Sequence, residues 1–528
     1  MQSPAGREAV GCIRRRSPGE TPCMVKPPDD PSDLPPALAG RVRALNDHDL
    51  RPDGEHVLYW MTAARRSTWN HALDRALAHA RALGRPLIVL EALGCRHAWA
   101  NDRSHRWLLQ GMADNARAFG NTPVLHHAWV ERRPGEGRGL VEALADGACV
   151  VVGDDWPSLG LPRLQTAAAR RLDVRFEVVD ANGLLPMREP ERVFTTAHSF
   201  RRFLQGRLAD LLTLRPAADP LRGLGLPRAR LPAEVARRWP AETPEALLSP
   251  GLPGEIDIDH GVPPVAEVGG PRSARQALTR FLDGSPSGAG LEAYADDRNH
   301  PDHEATSGFS PWLHFGHLSA QEVVQAVLDR EGGVPDDLPR TGRGDRAGWW
   351  GLSASAEAFL DQLVTWRELG FNMAAQRPDH DRWESLPAWA RETLDVHSAD
   401  ERERLYTLEE FEQAGTHDEL WNAAMRQLRV SGRMHNYLRM LWGKQILAWT
   451  RDPREALAVM FELNNRWALD GRDPNSTSGI CWTLGRYDRA WGPERPVFGK
   501  IRYMTSRNTR RKLRVSAYLD RWSGAATT

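Results

Sequence analysis

Residues 56–93, HVLYWMTAARRSTWNHALDRALAHARALGRPLIVLEAL, decide the fold of this chain. HVLYWM is a short apolar and aromatic run of strand length. STWNHALDRALAHARALG then spaces its Ala and Leu residues at helical intervals, with Ser67 or Thr68 near the N-cap and Gly84 past the end. RPLIVLEAL returns to a strand. Working outward, residues 103–119 read as a helix, TPVLHHAWV as a third strand, and ACVVVGDDWP and VRFEVVD as two more. Strands that alternate with helices predict a doubly wound, parallel α/β sheet over about residues 54–185. No GxGxxG follows the first strand, which argues against a dinucleotide fingerprint. Ligands of such sheets gather at the carboxyl ends of the strands, where GDDWP at 153–157 is either a lip or a plain loop.

On each side of this unit the composition changes. Residues 1–53 are rich in Pro, Gly and charge and read as a disordered tail, with Met1 or Met24 as the start. Residues 186–270 read as an inter-domain connector, rich in Pro, Gly and Ala from about residue 215. From 271 to 522 strand signals fade, and AEAFLDQLVTWRELGFNMAA, MHNYLRMLWGKQILAWT and PREALAVMFELNNRWAL carry helical apolar spacing. The expected fold is therefore an α/β domain, a long connector and an all-α domain.

Bulk properties exclude some functions. With 528 residues the chain can fill two or three domains, and its formal net charge is zero, so any nucleic-acid contact rests on local patches. No apolar run is long enough to span a bilayer, and the N-terminus lacks the apolar core of a secretory signal. The five cysteines have no zinc or iron–sulfur spacing; reduced thiols, a cytoplasmic location and no metal site are expected. A metal-dependent hydrolase built on His300, His303, His314 and His317 is a rival reading, but no nearby carboxylates complete its site.

The chain has 20 tryptophans, and three of them suggest a path for electrons. Trp442 and Trp449 lie seven residues apart in NYLRMLWGKQILAW, nearly two helical turns, on one face and roughly 10 Å apart along the axis. Trp421, in DELWNAAMRQL, could pack beside them as a third ring. Core aromatics and an electron path both fit this spacing.

Three further stretches carry candidate chemistry. TSGFSPWLHFGHLS at 306–319 sets Thr, Ser and Gly before a helical run, which suits a phosphate or an ordinary cap. In LNNRWALDGRDPNSTSGICW at 463–482, Asp470 and Asp473 could accept hydrogen bonds from sugar hydroxyls or a ring N–H. Arg439 sits in an otherwise apolar helix and needs a carboxylate, for which Asp470 is the candidate. KIRYMTSRNTRRKLR at 500–514 holds seven Lys or Arg residues and no acid, and suits either solvent or DNA phosphates.

Together, LYTLEEFEQAGTHDELWNA, MHNYLRMLWGKQILAWT, LNNRWALDGRDPNSTSGICW, ERPVFGKIRYM, ATSGFSPWLHFGHLS, YADDRN and VLYWMTAARRSTWNHAL resemble the photolyase/cryptochrome family. Within it they are closest to class II cyclobutane pyrimidine dimer photolyases, over most of residues 54–520. The resemblance implies an N-terminal antenna domain and a helical domain that binds FAD in a U shape. Tyr294, Thr306, Ser307, Gly308, Phe309 and Ser310 would hold the phosphates and neighbouring groups; Arg367, Arg439, Asp470 and Asp473 would hold the rest. Asn464 would lie beside the flavin N5. Trp442 would be the tryptophan nearest the flavin, passing the hole to Trp421 or Trp449, with the terminal ring open.

The implied reaction is light-driven repair of pyrimidine dimers, the lesion flipped out of damaged DNA by a monomeric enzyme. Trp366 and Trp482 would wall the lesion pocket, Asn436 and Met440 would line it, and Lys500, Arg502, Arg510 and Arg511 would meet DNA. An 8-hydroxydeazaflavin-type antenna is implied most directly, with methenyltetrahydrofolate, flavin or no antenna open. One position departs from the family: Gln362 stands where a Glu is usual. Its amide can donate a hydrogen bond but no proton. Asp361 is one helical step, about 100°, away and is expected to face elsewhere. Gln362 also favours the rival reading, a cryptochrome-like blue-light receptor without repair. The end of the chain about twenty residues after the last motif favours the enzyme.

Overall fold

A computed structural model describes residues 34–284, 290–303, 305–334 and 338–524. The six strands are β1 (Val42–Ala44), β2 (His56–Trp60), β3 (Leu87–Leu93), β4 (Leu125–Val130), β5 (Ala148–Asp154) and β6 (Phe176–Val179). They run in the order β1-β6-β5-β2-β3-β4, and β2 to β6 pair in parallel. The central strands β2 and β5 are buried along their whole length, as continuous apolar runs in a parallel sheet must be. Val57 and Tyr59 feed the core on one face; Leu58 and Trp60 feed the other.

Three expectations at the start of the domain are corrected. The tail predicted for 1–53 is structured from residue 34 as far as it is described; residues 1–33, with both candidate start sites, Cys12 and Cys23, lie outside the described residues. Its β1 pairs antiparallel with β6, so the sheet is mixed rather than wholly parallel. Strand β1 is three residues long, too short to show alternation, and its neighbours hold it by charge. Arg43 makes a bidentate pair with Asp155 at 2.8 and 2.9 Å, and Arg41 donates to the carbonyls of Asp180, Gly183 and Leu184. The first helix begins later than predicted, at His71–Leu83. Trp69 takes φ +49 and ends the preceding turn, so Asn70 is the N-cap, accepting from the N–H of Ala72 and Leu73. Gly84 closes the helix in the left-handed region, φ +63.

At the carboxyl ends of β2 and β5, Asp154 turns its carboxylate onto the chain itself. It accepts from the N–H of Thr62 and Ala63 at 2.7 Å, Ala64 at 3.0 Å, and the Tyr59 hydroxyl at 2.8 Å. The segment at 153–157 is thus tied into the domain.

The region predicted as connector contains the helix Ala197–Leu211, whose Phe200, Leu204 and Leu208 join the core of the helical half. Beyond residue 271 the described residues hold helices and one isolated bridge, Arg495 with Gly499. One long helical run is built of Ala354–Leu360, a π-helical stretch at Asp361–Trp366, and Arg367–Gln376. It crosses Pro474–Thr483 at Gly370, where an added Cβ would meet Asn475 Cα at 2.9 Å. Among the described residues no helix is long and apolar enough to cross a membrane.

The halves are locked by buried charge. Arg103, near the start of the helix Asp102–Gly120, donates to Pro263 O at 3.1 Å, Leu428 O at 3.2 Å, Trp467 O at 2.5 Å and Arg429 O. These carbonyls include the exposed ends of Glu419–Ser431 and Pro453–Trp467, so one guanidinium caps two helices. On the other side of the seam Glu368 accepts from the N–H of Leu184 and Leu185, and burial pushes its carboxyl up to about 7. Arg103→Met removes the guanidinium donor that these four carbonyls share, although Leu428 O keeps the N–H of Gly432, and is expected to cost about 3 kcal/mol. Urea unfolding measures this; a loss below about 1 kcal/mol would refute the clasp.

Candidate functional site

A cavity of about 1500 Å³ opens in the helical domain. One wall is the helical run from Ala354 to Gln376, another is Pro474–Thr483, and the floor includes the start of Asn436–Trp449. Loops at 306–309 and 488–504 form its rim. Most of the predicted site residues meet here. Tyr294, Thr306, Ser307, Gly308, Phe309 and Ser310 line one part; Gln362, Trp366, Asn436, Met440 and Trp482 line another; Arg439 and Asp470 lie on it as well.

Arg439 and Asp470 form the expected pair, bidentate at 2.9 and 3.2 Å. Burial pushes Asp470 up, but the guanidinium and the Ser310 hydroxyl outweigh it and leave the carboxyl below its ordinary value. The 306–309 loop is held close to a cation that the sequence reading missed. Gly308 takes φ +66, and a Cβ there would collide with Arg433 Nη1. Arg433 also pairs with Glu267. It follows the left-handed Gly432 that ends a helix, a position with no motif of its own.

Four of the residues expected to hold or adjoin the cofactor do not border the cavity. Arg367, one residue past the π-helical stretch, points to the domain seam, where it donates to Asn182 O at 2.7 Å and lies over the Phe371 ring at 4.5 Å. Asp473 caps Pro474–Thr483, accepting from Asn475 N–H at 2.8 Å, and its other oxygen meets His314 Nδ1 at 3.3 Å. Asn464 is buried one layer back and donates to Ser476 Oγ at 3.0 Å, and that serine lines the cavity. Trp442 is the fourth; its indole N–H is buried without a partner. Ser476, with Asn475 and Ser478, was a missed group. The run of small polar residues on a buried helix, NSTSG, was its available signal.

The π-helical stretch alters another expectation. Asp361 was placed on a different face from Gln362, yet both border the cavity. The wider winding brings consecutive residues nearer to one side than an α-helix does. The Asp361 carboxylate is bound by Arg201 at 2.7 and 3.1 Å.

The three tryptophan rings touch in series, but not in chain order. Trp421 stacks on Trp442 with centroids 6.5 Å apart and planes 8° apart, and it meets Trp449 at 6.0 Å and 67°. Its N–H donates to Trp442 O at 3.1 Å. Trp421 is therefore the middle ring, and Trp449 is the outer one, in contact with Tyr406 and His417. Trp442 shares its helix with Arg439 and Met440 of the cavity floor.

Of the expected DNA contacts, Arg502 borders the cavity, pairs with Asp488 at 2.8 Å and lies over Trp491 at 4.0 Å. Lys500 pairs with Glu494 at 3.1 Å and Arg510 with Glu419 at 3.2 Å, while Arg511 is exposed. Each of these lies outside the cavity lining. The histidines of the rival reading are engaged separately: His314 with Asp473, His303 with Asp297, His317 with Gly270 N–H and His300 with Arg514 N–H.

No family model matches this chain. It is 33% identical over 490 residues to the deoxyribodipyrimidine photo-lyase of Methanothermobacter thermautotrophicus, covering 92% of this chain and 98% of that protein. It is also 33% identical over 517 residues to the deoxyribodipyrimidine photo-lyase of Oryza sativa subsp. japonica, covering 94% of each. In fold it is similar to the cryptochrome of Synechocystis sp. PCC6803, with a TM-score of 0.62 at 17% identity over 89% of this chain and 88% of that one. Similarity of this extent to the two photo-lyases means that the chain belongs to the deoxyribodipyrimidine photo-lyase family.

Proposed function

We propose that this chain is a class II enzyme that splits cyclobutane pyrimidine dimers in DNA by light-driven electron transfer. The observation that carries the reading is the single cavity lined both by the 306–310 segment with Arg439–Asp470 and by Gln362, Trp366 and Trp482. Family membership implies FAD, and the cavity suits it: Arg433, at its edge, keeps a buried Nε–H without a partner. When bound and reduced, FAD supplies under light the electron that opens the cyclobutane ring. The protein's own residues do the rest. Arg439, held by Asp470, and the polar 306–310 segment would bind the cofactor; Arg367 and Asp473 would act from the layer behind, as would Asn464 through Ser476. Trp366 and Trp482, half-buried, offer aromatic faces to a flipped base pair, and Asn436 and Met440 complete that wall. Extrusion is cheapest for a damaged, poorly stacked pair. Arg502 at the rim, with Lys500, Arg510 and Arg511, would take phosphates.

An 8-hydroxydeazaflavin-type antenna remains part of the proposal on the motif resemblance, as do action as a monomer and a cytoplasmic location. The second reading, a blue-light receptor without repair, is favoured by Gln362, whose amide supplies a hydrogen bond but no proton.

The deciding experiment incubates the holoprotein with a dimer-containing oligonucleotide, illuminated and dark. Light-dependent return of thymines is expected; binding without return would leave the receptor reading. Gln362→Glu is expected to raise the quantum yield of repair severalfold, and an unchanged yield would remove the role given to this position. Because Trp421 is the middle ring, Trp421→Phe should abolish stable photoreduction of the flavin, whereas Trp449→Phe should leave a short-lived hole on the inner rings. Transient absorption separates the two, and identical traces would refute the order.

A further inference from the structure

The tryptophans near the cavity differ in what lies against them. The ring neighbours of Trp421 and Trp449 are other aromatics, Phe411 among them. Trp482 instead has two cations near its ring. Lys444 Nζ sits over its ring at 5.1 Å and Arg502 Cζ at 5.7 Å. Arg502 is matched by Asp488, which binds it at 2.8 and 3.0 Å and also accepts from Trp491 N–H.

Lys444 is the unusual member. It lies on the Trp442 helix, two residues further on and so on nearly the opposite side. It is fully buried, and Nζ donates to Thr483 O at 2.5 Å. Burial draws it down to about 7, while Asp488 opposes the fall and Arg502 adds to it. Burying an ammonium against one carbonyl is costly, and an apolar side chain would fill the space at less expense.

Two indoles, those of Trp442 and Trp482, lie close enough to the cavity to be weighed as donors to a cofactor there. Trp482 borders the cavity itself, whereas Trp442 lies behind its floor, so position alone does not favour the productive ring. A positive charge beside an indole disfavours the further positive charge that oxidation would put there. We infer that Lys444, backed by Arg502, is a positioning residue that keeps Trp482 reduced and directs the hole into Trp442, Trp421 and Trp449. One electron leaves Trp442 for the cofactor; Trp421 then refills Trp442, and Trp449 refills Trp421. Each transfer moves one electron and requires no proton. The oxidised Trp449 is restored by a one-electron reductant from solvent. The same charge would keep the lesion wall from being consumed by side oxidation.

The inference rests on the proposed photoreduction of bound FAD. Its test illuminates wild type, Lys444→Met, Lys444→Gln and Lys444→Arg at matched FAD content, on the acid side of neutrality, and maps oxygenated tryptophan by peptide mass spectrometry. Lys444→Met should raise oxidation at Trp482 about ten-fold relative to Trp449. Lys444→Gln, which keeps a donor for the Thr483 carbonyl but no charge, should do the same, and Lys444→Arg should restore the wild-type pattern. A wild-type pattern in Lys444→Gln would overturn the inference while leaving photoreduction standing. Absence of light-dependent oxidation at Trp442, Trp421 and Trp449 in every protein would overturn both.

Discussion

The helical domain depends on how closely two backbones meet at Gly370 and Asn475. With no side chain on Gly370, the run from Ala354 to Gln376 comes against Pro474–Thr483 until a Cβ would lie 2.9 Å from Asn475 Cα. Each helix then presents its cavity residues from a fixed origin: Gln362 and Trp366 on one, Ser476 and Trp482 on the other. Asp473, as N-cap, and His314 hold the second helix at its start. A dense contact of this kind leaves little room for the walls to drift, because packed interiors yield only slightly to strain.

The π-helical stretch just before that crossing is where regular geometry is given up for a site. It lets both Asp361 and Gln362 reach the cavity edge, with the acid bound by Arg201 and the amide left as the neutral group. Such widened turns are common where a helix serves a function. The chain thus carries a carboxylate next to the position where relatives are expected to have one, but it is committed to Arg201 on the helix Ala197–Leu211.

Much of this was legible in the sequence, for identifiable reasons. Strands β2 to β6 are apolar runs punctuated by turn residues, and the helical half repeats its Leu, Ala and Trp at helical spacing. Arg439 in an apolar helix announced its need for Asp470. What stayed hidden was set by tertiary contact. Strand β1 has three residues and no pattern. Arg367 was assigned to the cofactor by motif position, but the azimuth after a π-helical turn sends it to Asn182. The spacing of Trp442 and Trp449 suggested a line along one helix, whereas the contact runs through Trp421 on another. Arg433 and Lys444 had no signal, since their meaning lies in what they touch.

The hydrogen bond from Trp421 to the carbonyl of Trp442 has a consequence in acid–base terms. An indole that has lost an electron becomes a much stronger acid and tends to shed its N–H proton. At Trp421 that proton is already held by a backbone carbonyl, an acceptor too weakly basic to take it away. The ring is fully buried, away from bulk solvent. An oxidised Trp421 therefore keeps its proton and its positive charge, and the way back stays open until the charge has moved on. In the proposed path the middle ring would be a relay rather than a trap, and irreversible chemistry would be deferred to Trp449, where His417 and the Tyr406 hydroxyl stand near the surface.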